Sequence, residues 1–166
     1  IGHHLDAYAA KGLAMIDHRL ITNHRKAGEL DEALKLSRQG MDENPHDPNL
    51  QTAYGWVLYE QVKGLADSGK NDQELKGEAA RRLSPILREY VRLDCVEKPG
   101  MLHSLILAQV LKVQSGWTDL LPFAKWWGEG MFREEDRKPQ TWNDKQYESL
   151  ELKYFRAIGR KLADEG

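Results

Sequence analysis

The side chains able to do chemistry in this sequence are few, and none forms a recognised catalytic pattern. His3 and His4, with Asp6 close by, are metal-ligand types, but they sit together at the start of the chain, where a terminus frays. His18 and His24 are six residues apart, which turns them to different faces of a helix and excludes a ligand pair. Asp67 to Glu78 has acidic residues at both ends of a loop-like run. However, Gly69 falls at a ligand position and Asp72 stands where a calcium loop needs glycine. The single cysteine, Cys95, allows neither an internal disulfide nor a cysteine metal cluster, and no nucleophile-and-base arrangement surrounds it. Phosphate-binding glycine loops, HExxH, GxSxG and CxxC are absent. Glu134, Glu135 and Asp136 lie in a charged run that reads as solvated linker. No catalytic residue, metal or cofactor is therefore assigned, and a small helical enzyme is the least favoured of three functional readings.

One basic concentration stands out. Arg81, Arg88 and Arg92 are spaced by seven and eleven residues, close to whole helical turns, so they share a face, with Arg82 beside them. Such a face suits phosphates, but Glu78, Glu89 and Asp94 are interleaved with it. A nucleic-acid-associated accessory domain is the alternative reading that it supports.

Overall charge supports neither nucleic acid nor an anionic membrane as a general partner. The 166 residues carry 24 basic and 26 acidic side chains, a formal net charge of −2. A hydrophobic content of 40% with 30% charged residues is that of a folded, water-exposed protein. The longest apolar run, Leu102 to Val113, is too short for a membrane span and contains His103, Gln109 and Lys112. One cysteine fits a reducing compartment, so a cytoplasmic location is expected. The chain begins at Ile1 and reads as a fragment of something longer.

The elements that position these residues are helices, since period-two alternation is missing throughout. Leu5 to about Lys26 carries apolar residues at helical spacing despite Gly12, and Ala27-Gly28 ends it. A second helix follows from about Glu29 to Glu43 with Leu30, Ala33, Leu34, Ser37 and Met41 on one stripe. After Asn44-Pro45-His46, Asp47 is placed to cap a third helix with Pro48 at its first position, running to about Leu65 where Gly64 marks a loop. Asp72 is placed to cap a fourth helix reaching about Val96, with a kink or break near Leu83-Ser84 because Pro85 removes a donor. The turn Glu97-Lys98-Pro99-Gly100 leads into a fifth, apolar helix over Met101 to Gln114, expected to be central. Ser115-Gly116 turns into a sixth helix, Thr118 to about Phe132, with adjacent Trp126 and Trp127 on different faces. A charged run closing at Pro139 precedes a last helix, 142–163, with Tyr147, Leu150, Tyr154, Ile158 and Leu162 on one face. The expectation is one all-α domain over residues 1–166: hairpins at about 5–43, 48–96 and 101–132, then a terminal helix.

The hairpins share a layout of helix, glycine turn, helix and proline turn, the last at Pro45/Pro48, Pro99 and Pro139. Over Gly28 to Tyr59 the chain resembles a tetratricopeptide repeat, whose unit is about 34 residues with small residues at the helix crossing and a proline near its end. Gly28 matches the inter-helix turn, Ala33 the small residue of the second helix and Pro45 the closing proline. Gly55 matches the small position of the next unit, between Tyr54 and Trp56. Later units depart from the pattern through the interrupting Pro85 and through Pro122 and Gly128. The resemblance implies a right-handed superhelix with the first helix of each pair on a concave face. Matching positions are Met15, His18, Thr22 and Arg25, then Asn49, Thr52, Trp56 and Tyr59, then His103, Ile106 and Val110. Such a groove suits a peptide, a helix or a neighbouring domain of the same chain. The family's clamp for chaperone tails needs Lys, Arg and Asn together, and only Arg25 and Asn49 match it. A protein-interaction scaffold is thus the favoured reading.

Overall fold

A computed structural model describes residues 16–68, 73–93, 99–124 and 144–165. Every regular element among them is helical. In order these are α1 (His18–Lys26), α2 (Leu30–Glu43), α3 (Pro48–Ser68), α4 (Gln73–Arg92), α5 (Pro99–Val113), a 3-10 turn (Thr118–Leu120) leading into helix over 121–124, and α6 (Asp144–Glu165). The chain divides into two compact units, with the boundary inside α3, after Val57. The expected helix over Leu5–Lys26 is corrected: Ile16 and Asp17 are not helical, and the helix starts at His18. Asp17 accounts for this start, because its carboxylate accepts from the Arg19 backbone N–H at 2.8 Å and from the Arg19 guanidinium at 2.9 Å.

The first unit packs α1 against α2 and the start of α3. Its core is Ile21 from α1, Ala33 from α2, and Leu50, Ala53 and Val57 from α3. The turn between α1 and α2 closes as a Schellman motif: the Glu29 N–H donates to the His24 carbonyl at 2.9 Å and the Gly28 N–H to that of Arg25 at 3.1 Å. That motif requires a left-handed residue, and Gly28 has φ of +80°. Gly40 is buried where α2 meets its neighbours. A Cβ there would lie 3.2 Å from Leu50 Cδ2 and 3.3 Å from Ile16 Cβ, so these two side chains already fill the space a larger residue would need. Asp47 caps α3 as its spacing predicts, its Oδ1 accepting from the N–H of Asn49 at 2.9 Å and of Leu50 at 3.3 Å.

The second unit begins at Leu58 in α3 and includes α4, α5 and α6. Here α4 packs against both α5 and α6, and α6 also meets the 3-10 turn. Leu83, Leu87 and Tyr90 of α4, Leu102, Ile106 and Leu107 of α5, and Tyr154 and Ile158 of α6 are fully buried. Most of α5 is thus buried, as its apolar sequence leads one to expect, while α4 is the helix that packs against two others.

Three boundaries differ from the sequence expectation. Gly64 does not end α3, which runs to Ser68; buried Val62 and Leu65 hold the turn around it, and packing outweighs a glycine penalty of about 1 kcal/mol. Pro85 does not interrupt α4. It and Arg81, whose carbonyl loses a partner, are both exposed, so water can serve that carbonyl while Leu83 and Leu87 hold the inner face. Pro99 and Gly100 open α5 instead of forming a turn before it, which suits proline at a first helical position. Leu5 to Met15, Asp72, Cys95, Trp126, Trp127, the 133–140 run and the side chains of Tyr147 and Leu150 lie outside the described residues.

Candidate functional site

Six of the expected groove residues fall in the first unit on two helical stripes. His18, Thr22 and Arg25 follow one another on α1, and Asn49, Thr52 and Trp56 on α3. None is buried: Asn49 is exposed and the other five are half-buried. The burial pattern follows from the core, since Ile21 on α1 and Leu50, Ala53 and Val57 on α3 turn inward and leave these neighbours outward. The two stripes meet where the Arg25 guanidinium lies over the Trp56 ring, 5.7 Å from its centroid. At that distance a cation is attracted to the negative face of the indole. The Thr22 hydroxyl is turned back to donate to the His18 carbonyl at 3.1 Å. The result is a half-buried indole with a guanidinium over its face.

Of the remaining groove positions, Tyr59 is half-buried, three residues after Trp56 on α3 and within the second unit. His103, expected on the concave face, is wholly buried in the second unit, as are Ile106 and Val110. The cause is α5 itself: with Leu102, Leu107 and Val110 also buried, little of the helix is left to face water. Met15 lies outside the described residues.

His103 instead anchors an aromatic cluster. Its Nδ1 is hydrogen-bonded to the Tyr90 hydroxyl of α4, and the edge of Phe155 of α6 meets its ring at 4.8 Å and 89°. Tyr154 stacks obliquely at 5.7 Å and in turn meets Phe123 at 5.6 Å. Burial pushes the imidazole pKa down to about 3 from an ordinary 6.5, so the ring is neutral near pH 7. Burial likewise pushes the Tyr154 phenol far above its usual range. These groups rank as packed core because water does not reach them.

The arginine face is divided. Arg81, Arg82, Arg88 and Arg92 are all exposed on α4, but Arg88 donates to the Leu162 carbonyl of α6 at 3.2 Å and so holds two helices together. Asp94 lies outside the described residues. Among the described residues no group of three or more His, Cys, Asp or Glu is arranged to hold a metal ion, and no helix is long and apolar enough to cross a membrane.

One feature had no sequence signal. A hollow of about 440 Å³ in the second unit is lined by the end of α3, the start of α4 and the end of α5. Its residues come from three segments, and no local spacing connects them. No protein-family model, curated protein sequence or solved structure matches the chain.

Proposed function

We propose that this chain is a protein-interaction module, a tetratricopeptide-like scaffold that holds a partner polypeptide or a neighbouring domain against the α1/α3 surface. The observation that carries this reading is the Arg25 guanidinium over a half-buried Trp56 ring, at the meeting of two outward stripes. Tryptophan and arginine are the residue types that most often dominate binding at protein interfaces. Here each restrains the other, which lowers the entropy lost on docking. The spacing of His18, Thr22 and Arg25, and of Asn49, Thr52 and Trp56, presents both helices edge-on to an elongated partner. The resemblance of Gly28 to Tyr59 to the repeat agrees with this role.

The test is affinity capture with the whole chain as bait, in parallel with Trp56→Ala and Arg25→Ala chains shown to be folded by circular dichroism. A partner retained by the parent chain should be lost from both variants. Equal retention on all three baits would refute the site. If a partner is retained by both variants but lost from Arg81→Glu/Arg92→Glu, the binding face lies on α4 instead.

A further inference from the structure

The hollow in the second unit has the makings of a second docking point, distinct from the α1/α3 surface. Its inner wall is apolar: Leu65 and Ala79 are buried, and Ala66 and Val113 are half-buried. The two alanines leave the space that larger residues would fill. At about 440 Å³ it lies within the range of natural binding pockets, roughly 300–1,000 Å³. Among the described residues its rim carries Lys76 and Lys112 against one acid, Asp67, and all three are exposed.

The lysines are placed in a way that their own helices do not fully explain. Lys112 is in the last turn of α5, where a cation suits the helix dipole. Lys76 is in the first turn of α4, at the positive end of the dipole, where a cation is disfavoured. Neither lysine forms an ion pair with a described residue.

From this apolar hollow, with two lysines against one acid among the described residues of its rim, we propose that the second unit docks a partner polypeptide through an apolar side chain flanked by carboxylates. The apolar side chain fills the space over Leu65 and Ala79, and the carboxylates lie against Lys76 and Lys112. A polypeptide can place an apolar side chain between two carboxylates, one for each lysine, which a simple monocarboxylic acid cannot give.

The probe is an end-blocked hexapeptide with a leucine-phenylalanine centre between paired glutamates, titrated into the isotopically labelled chain and followed by amide chemical shifts. The expected result is saturable shifts at Leu65, Ala66, Ala79 and Val113, with affinity reduced at least tenfold in Lys76→Glu/Lys112→Glu. Both lysines are exposed, so that variant should keep its fold. Ala66→Leu, which fills the hollow, should weaken binding likewise, and Trp56→Ala should not. No shift at millimolar peptide overturns the proposal. So does equal binding of a lysine-flanked peptide, shifts confined to Trp56 and its neighbours, or the same shifts at equal affinity from hexanoate.

Discussion

Acid should weaken the second unit through one residue, His103. In the folded chain its imidazole has no route to water and its pKa is pushed down to about 3; in the unfolded chain it returns to about 6.5. Between these values the unfolded state binds a proton that the folded state refuses, so stability falls as pH falls. The contribution is fully present above about pH 6.5 and declines continuously towards pH 3. At pH 5 the unfolded value is about 1.5 pH units above the solution, which corresponds to a loss of about 2 kcal/mol. Among the described residues the groups around the ring are Tyr90 from α4 and Tyr154 and Phe155 from α6, and none of these is a carboxylate able to stabilise an imidazolium. The assay is urea unfolding of the parent chain and of His103→Gln at pH 7 and pH 5. Glutamine is not titratable and keeps a polar partner near the Tyr90 hydroxyl. The pH-dependent loss should be smaller in the variant by about 2 kcal/mol, whatever the cost of the substitution itself at pH 7. Equal losses in both chains would refute the argument that buried His103 is the sensor.

Other expectations concern the helix ends and glycines. Asp47→Ala removes the acceptor for two N–H groups at the start of α3 and should cost about 1 kcal/mol by urea unfolding. Gly28→Ala should destabilise by about 1 kcal/mol through the backbone alone, because a Cβ there meets nothing within 4 Å but φ is +80°. Gly64→Ala should raise stability by about 1 kcal/mol, since Gly64 is exposed within α3 and a Cβ again meets nothing. Gly40→Ala should not show that gain, because its Cβ would press on Leu50 and Ile16; thermal melts of the two variants side by side make the comparison.

The sequence by itself determined that the described chain is helical, and where several helices begin and end. Those signals are local. Asp47 before Pro48 caps α3 from two residues away, and Gly28 closes α1 because only its own backbone must turn left-handed. The apolar periodicity of Tyr154, Ile158 and Leu162 was likewise enough to mark the buried face of α6. Stripes such as His18, Thr22 and Arg25 were legible for the same reason, because helical spacing fixes which side chains are neighbours.

Tertiary structure decided what depends on distant segments. Whether Gly64 and Pro85 break a helix is a contest between a local penalty and the burial of Val62, Leu65, Leu83 and Leu87, and burial prevailed. His103 has the same one-dimensional signature as an exposed histidine. Its neutral state is set by burial, to which Tyr90, Tyr154 and Phe155 contribute from 13 or more residues away. The hollow between Leu65, Ala79 and Val113 does not exist in any one stretch of chain, because its walls come from three helices and its space is what their packing leaves unfilled. Arg25 and Trp56 were each readable as candidates, but their contact across two helices, which fixes the charge on the ring, exists only in the folded unit.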